Sequence, residues 1–277
     1  MDICKNSIMY FLRPFRGAYS TLENGVLSMV QRSAVILAGG EGKRMKSDKP
    51  KTLSIVLGRP MLRWIIDSLK ESGIEDICVV TGYRKECIEE YLKAQPERIE
   101  TVFQSERLGT GHAVMMAEEF LKQRGGDVVI LNGDAPFMDA QTITNAFEQH
   151  DATNSSATVI TAKVDDPAGY GRIVRDKKTG ALKAIIEQKD ADDEALKINE
   201  VNSGGYWFDT AALLSVLHKI TADNKAAEYY LPDALKLLLE QGMPVGAFTA
   251  ASSGTVLGAN DPQQLSELNE IARKKFS

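Results

Sequence analysis

One pattern recurs four times in the first half of the chain. A short apolar run is followed by a loop, then by a stretch with helical spacing of apolar residues. The runs are SAVILA at 33–38, DICVVTG at 76–82, ETVFQ at 100–104 and DVVILNGD at 127–134. Runs this short and this continuously apolar suit strands buried on both faces, as in a parallel sheet covered by helices. After the first run, Pro60 opens a helical pattern with Met61, Leu62, Ile65, Ile66 and Leu69 on one face, and Gly73 ends it. Further helices are predicted over 84–93, about 110–122 and about 139–149. Strand, loop and helix in alternation specify an open, mostly parallel α/β sheet. In such sheets ligands bind at the carboxyl ends of the strands, so the loops after these runs should converge on one edge.

From residue 151 the texture changes. SATVITAKV, GRIVRD, ALKAIIEQ and EVNSGGYWF are β-rich with short turns, and DKKTG between two of them reads as a hairpin connection. Helices are predicted at about 209–218 and 231–240, and a short strand near Val245. A last helix is predicted from Asp261-Pro262, an N-cap followed by proline. The expectation is one domain over 33–277, with a first half (33–150) and a β-rich second half (151–277) that covers the first sheet and shares its core. Residues 1–32 show no strong period and are expected to be a disordered extension or a non-native start, with Met29 as an alternative start.

A net charge of -5 argues against a general nucleic-acid binder, so an anion site must be a local concentration of positive charge. Cys4, Cys78 and Cys87 form no CxxC or Cys/His cluster, which argues against a disulfide framework or structural zinc and suits a reducing compartment. No stretch approaches the ~20 apolar residues of a membrane span. The run from Ile8 to Leu12 is shorter than the apolar core of a secretion signal. A soluble cytoplasmic protein is the expectation.

The loop after the first run reads LAGGEGKRMKSDKPKTL. Gly39, Gly40 and Gly42 allow positive φ and close backbone approach to a ligand, and successive exposed amides make an anion-binding nest. Lys43, Arg44 and Lys51 can supply charge for a polyphosphate. Neither GxGxxG opening a helix nor GxxxxGK[ST] is present, which excludes the dinucleotide fingerprint and the P-loop. Three other stretches bear on the same ligand. In FQSERLGTGHAV a glycine turn precedes a helix, and Gln104 offers a carboxamide able to pair with a pyrimidine edge. His112 reads as packed or solvent-facing. In LNGDAPFM, Asp134 stands where a strand should stop. A carboxylate beside a polyphosphate needs a cation between them, and magnesium suits that place. In VLGAND, Asn260 could add a neutral carbonyl to the same ion.

In their order along the chain, LAGGEGKRMKSDKPK, QSERLGTGHAV, LNGDAPF, GYGRIVR, AIIEQKD, EVNSGGYWFD, EYYLPDAL and VLGAND resemble the uridylyltransferase domain of the bacterial N-acetylglucosamine-1-phosphate uridylyltransferases, within the sugar-phosphate nucleotidylyltransferase superfamily. The resemblance spans roughly Ala34 to Glu270. It implies a Rossmann-like three-layer nucleotidyltransferase fold with a mostly parallel mixed sheet and a β-rich sugar-binding half. It also implies Mg²⁺-dependent transfer of UMP from UTP to a sugar 1-phosphate, a cell wall precursor reaction. On it, Leu37, Ala38, Gly39 and Gly40, with Arg44 and Lys51, hold the nucleotide and its triphosphate. Gln104, Gly109 and Thr110 read uracil, Asp134 and Asn260 hold the metal, and Gly171, Glu187 and Asn202 hold the sugar phosphate.

The acceptor's phosphate is already anionic near neutral pH, a phosphate monoester having a second pKa of about 6. Transfer therefore needs alignment and charge neutralisation rather than a general base. The sequence departs from the family at Glu41, Lys43 and Asn132, and an acid at Glu41 has no evident role in a phosphate loop. The acetyltransferase β-helix of that family has no counterpart in this sequence, so acetylation is not expected of it. Alternative readings are transfer from another NTP or to another sugar phosphate, such as glucose 1-phosphate, and a non-catalytic binder of a sugar nucleotide.

Overall fold

In the computed structural model the described residues are 20–23, 26–28 and 31–276. Two short strands, β1 (Ser20–Glu23) and β2 (Val26–Ser28), pair antiparallel as a separate sheet. The rest of the expected extension, up to residue 30, lies outside the described residues.

The first apolar run is β3 (Arg32–Ala38). A hairpin that the apolar pattern did not announce, β4 (Ile55–Val56) and β5 (Arg59–Pro60), leads into α1 (Met61–Glu71). The other units follow as β6 (Asp76–Thr81) with α2 (Lys85–Lys93), and β7 (Glu100–Phe103) with α3 (Thr110–Met116) and α4 (Glu118–Arg124). The fourth is β8 (Asp127–Asn132) with α5 (Ala140–Ala152). The single helix expected over 110–122 is thus two, separated at Ala117 by φ -89° and ψ 8°. Val114 from one and Phe120 and Leu121 from the other enter the same core cluster.

The second half supplies β9 (Ala157–Lys163), β10 (Arg172–Arg175), β11 (Leu182–Ile186), the single turn α6 (Asp193–Leu196) and the long β12 (Glu200–Asp209). It ends with α7 (Thr210–Leu217), α8 (Pro232–Glu240), β13 (Val245–Thr249) and α9 (Pro262–Phe276). Asp261 caps the last helix as its position suggests, its Oδ1 accepting from the Gln264 amide at 2.9 Å.

The strand order is β11-β10-β12-β8-β3-β6-β7, with β9 on the other side of β12 and β13 outside β9. β8, β3, β6 and β7 are parallel, and β12 runs antiparallel to β8. The second half therefore extends the first sheet by strand pairing instead of lying over it, which closes the otherwise open edge of β8. β3 shows why its sequence is continuously apolar. Val35 faces one core layer with Val114, Leu121, Leu213 and Leu235, whereas Ala34, Ile36 and Ala38 face the other with Leu62, Ile65, Ile66 and Ile143. A third cluster joins α9 to the β4–β5 hairpin through Val56, Met61, Phe137, Leu268 and Ala272.

Two features of the sheet make room for a site. The register aligns Ala38 with Thr81, Thr81 with Phe103, and Leu37 with Asn132, so the loops that follow start level with one another. On β12, Tyr206 to Asp209 pair with β8, whereas Val201 pairs with β10. Between these partners β12 shifts register, at a stretch where Gly204 takes φ +74°, and the sheet parts beyond the end of β8.

Candidate active site

Two adjoining cavities open along this edge, of about 410 and 310 Å³. Both are lined by Leu37, Thr110, Asn132, Asp134 and Glu228. The larger contains Gly39, Gly40, Lys51, Gln104 and Gly109; the smaller contains Gly171, Glu187, Asn202 and Asn260. The stretches picked out in the sequence thus converge, apart from Arg44. It is exposed on the turn Lys43–Met45 and lines neither cavity. Ala38 is buried at the end of β3, packed into the core layer with Ile36 and Leu62, and also lines neither cavity.

The glycines of the first loop do different jobs. Only Gly42 has a positive φ, +61°, and a Cβ there would stand 2.8 Å from the Lys51 Cβ. Gly39 is needed for approach: its Cβ would meet Gln104 Oε1 at 2.8 Å. A Cβ on Gly82, just past β6, would stand 2.4 Å from the Gly39 carbonyl oxygen. That glycine pair, cinched by the Tyr83 amide donating to the Gly39 carbonyl at 3.1 Å, sets the height of the glycine-rich loop over the sheet. Gly82 was not among the residues singled out from sequence; the only hint of it is its place directly after a buried strand.

Gln104 is buried and held in one orientation. Its Nε2 donates to the Gly109 carbonyl at 3.1 Å and lies 3.1 Å from His112 Nδ1. Because a carbonyl can only accept, the amide group faces Gly109 and the carboxamide oxygen is the atom left for a ligand. His112 therefore orients Gln104, a role beyond simple packing. Thr110 does not cap its own helix: its hydroxyl accepts from the Leu231 amide at 3.0 Å. With Gly111 N–H donating to the Tyr229 carbonyl (2.7 Å) and Tyr229 N–H to the Leu108 carbonyl (2.8 Å), this stitches the loop to the segment before α8. A Cβ on Gly109, at φ +113°, would lie 2.5 Å from the Tyr229 carbonyl oxygen.

At the junction of the cavities Lys51 Nζ bonds Asn260 Oδ1 at 2.9 Å and forms an ion pair with Asp134 Oδ2. The two oxygens come together because Gly258 lets its loop run against the Asp134 backbone, where a Cβ would stand 2.8 Å from the carbonyl oxygen. One carboxylate and one carboxamide oxygen, already sharing a cation, are a hard-oxygen donor set of the kind magnesium takes from a protein, with phosphates and water completing its shell.

In the smaller cavity, Glu187 lies beside Gly171, where a Cβ would meet its Oε1 at 2.9 Å. Burial raises the Glu187 pKa, against the opposing hydrogen bond from Asn202. Asn202 also donates to the Tyr206 hydroxyl at 2.6 Å and accepts from the Gly204 amide at 3.0 Å, so the carboxamide is fixed at the strand irregularity.

The nucleotidyl transferase family matches residues 33–255. The chain belongs to the nucleotidyl transferase family. Among curated relatives, the bifunctional protein GlmU of Clostridium beijerinckii is 45% identical over 246 residues, covering 89% of this chain and 53% of that protein. GlmU of Enterococcus faecalis is 39% identical over 249 residues, covering 90% and 54%. The chain spans about half the length of the curated relatives it matches. A Bacillus anthracis crystal structure, provisionally assigned as a glucose-1-phosphate thymidylyltransferase in complex with a sucrose, shares the fold with TM-score 0.71 at 22% identity, covering 87% of this chain and 95% of that one. This nucleotidyl transferase is therefore an α/β protein with a mixed, mostly parallel sheet, as its sequence pattern implied. No helix among its described residues is long and apolar enough to cross a membrane.

Proposed function

We propose that this nucleotidyl transferase moves UMP from UTP to a sugar 1-phosphate, N-acetylglucosamine 1-phosphate foremost, releasing pyrophosphate. The observation that carries the reading is the meeting of two cavities at Lys51, Asp134 and Asn260, with a nucleobase reader in one and buried polar groups in the other. The larger cavity takes UTP. Gln104 Oε1, the free atom of the fixed carboxamide, accepts from uracil N3–H; cytosine has an unprotonated N3 and finds no donor there. The smaller cavity takes the acceptor, with Glu187 and Asn202 on sugar hydroxyl or amide groups and Gly171 allowing close approach. Lys51 neutralises phosphate charge and aligns the two substrates, and Arg44 serves the triphosphate from the loop's outer side. A magnesium ion on Asp134 and Asn260 would supply further neutralisation of charge on the phosphates. Domain limits of 33–277, with a nucleotide half and a sugar half, a cytoplasmic location and service in cell wall precursor synthesis belong to the same reading.

The test is pyrophosphate release across four NTPs and several sugar 1-phosphates, with and without Mg²⁺. UTP is expected to exceed CTP by at least ~100-fold in kcat/KM, the scale of discrimination by a site built around one hydrogen bond. Release with no pair of substrates refutes the proposal and supports a non-catalytic binder.

The acceptor assignment has its own check. Glu187→Gln is expected to raise KM for the sugar phosphate ~10-fold or more and leave KM for UTP within about 3-fold, since a hydrogen bond to a charged group is worth about 1.5–3 kcal/mol. The same variant alters stability against pH. A carboxyl whose pKa is raised in the folded state contributes stability that is complete below its ordinary pKa of 4.5 and is lost as pH rises through the raised value. Glu187→Gln should flatten the fall in melting temperature over that window. An unchanged profile removes Glu187 as its source.

A further inference from the structure

Glu41, the acid in the phosphate loop, has a partner across the cavity mouth. Arg107 Nη2 donates to Glu41 Oε2 at 3.0 Å, joining the loop after β3 to the loop after β7. Both residues line the larger cavity, and neither is deeply buried: their side chains are 45% and 29% exposed. Lys43 Nζ stands 3.7 Å from the same carboxylate oxygen. As an isolated surface ion pair this contact would contribute little to stability. Its position gives it a larger consequence once an anion enters. Two like charges about 4 Å apart repel about four times more strongly at the effective dielectric near a protein surface than in water. A bare Glu41 in this wall would oppose every phosphate placed beside it.

Resting on the reading of the larger cavity as a nucleoside triphosphate site, we propose that Arg107 and Glu41 form a charge-compensated clamp on the triphosphate. Glu41 positions the Arg107 guanidinium over the cavity and is silenced by it. The planar fork has five N–H donors, and those not used by Glu41 are available to phosphate oxygens. Arg107 thereby supplies positive charge from a residue that lines the cavity, in addition to Arg44 on the loop's outer side. The clamp also joins the phosphate loop to the loop that carries Gln104, so base and triphosphate are held from one connected wall.

The experiment is direct UTP binding by calorimetry, with KM and kcat for both substrates, on four variants: Arg107→Ala, Arg107→Lys, Glu41→Gln and the double variant Glu41→Gln/Arg107→Ala. Arg107→Ala should weaken UTP binding at least ~10-fold, with KM for the sugar phosphate little changed. Arg107→Lys should recover part of the loss. The double variant should bind UTP at least ~3-fold more tightly than Arg107→Ala, because the unpaired carboxylate is gone. The advantage of wild type over Arg107→Ala should shrink as salt rises. Melting temperatures report whether each variant folds. UTP binding by Arg107→Ala equal to wild type overturns the clamp. So does a double variant no tighter than Arg107→Ala. Wild-type protein that binds no nucleoside triphosphate overturns the reading of the cavity itself, a result distinct from either.

Discussion

Lys51→Met is expected to lower turnover by at least ~100-fold and, in nucleotide-free protein, to tighten divalent-metal binding about tenfold. The first effect is the scale of losing one fixed charge stabiliser in a site of this kind. The second follows from where the ammonium sits. It bridges Asp134 and Asn260, so it stands beside the oxygens that would hold a metal ion. Removing a unit positive charge a few ångströms from a divalent ion relieves a repulsion of about 1–2 kcal/mol even in water, roughly tenfold in affinity. Methionine keeps the length and apolar stem of the side chain, which guards the wall against collapse. Manganese binding followed by electron paramagnetic resonance reads the second effect with no catalysis involved. A folded Lys51→Met protein with near-wild-type turnover refutes the phosphate role. One whose manganese affinity falls refutes the shared position.

Gly82→Ala should cost about 1–3 kcal/mol in stability or, if the protein relaxes to accept it, abolish most UTP binding. The added Cβ would stand 2.4 Å from the Gly39 carbonyl oxygen and 2.7 Å from its Cα, backbone against backbone, with no flexible side-chain end to yield. Overpacking of this kind costs about 1–3 kcal/mol and sometimes more. Either Gly82 or Gly39 must move, and Gly39 carries the glycine-rich loop and abuts Gln104 Oε1. Gly40→Ala is the control for stability alone: no protein atom lies within 4 Å of a Cβ built there. Denaturant unfolding and UTP calorimetry on both variants separate the two cases. A Gly82→Ala protein as stable as Gly40→Ala and as tight-binding as wild type would falsify the claim that this contact sets the loop.

The parallel half of the fold was readable because its cause is local. Strands buried on both faces need apolar side chains at every position, and β3, β6 and β8 carry them. The amphipathic α1 likewise buries the five residues whose spacing marked them, each 0% exposed. The way the second half attaches was not readable in this manner. β12 has a buried residue at all ten positions, and that pattern says nothing of which strand lies beside it. Its exchange of β8 for β10 goes with the shift near Gly204, beside which the smaller cavity opens.

The sequence by itself determined an α/β sheet, the edge on which a site must lie, and the chemical groups carried by each loop there, because side-chain period and turn residues act over a few neighbours. Only the tertiary structure decided which of those groups meet. Lys51 reaches Asn260 across 209 positions of chain, Arg107 reaches Glu41 across 66, and Gly39 rests on Gly82. Those contacts depend on strand register and on loops from separate units ending at one height. No local pattern encodes that, and through it Arg44 was left exposed while Arg107 and Gly82 became part of the wall or its support.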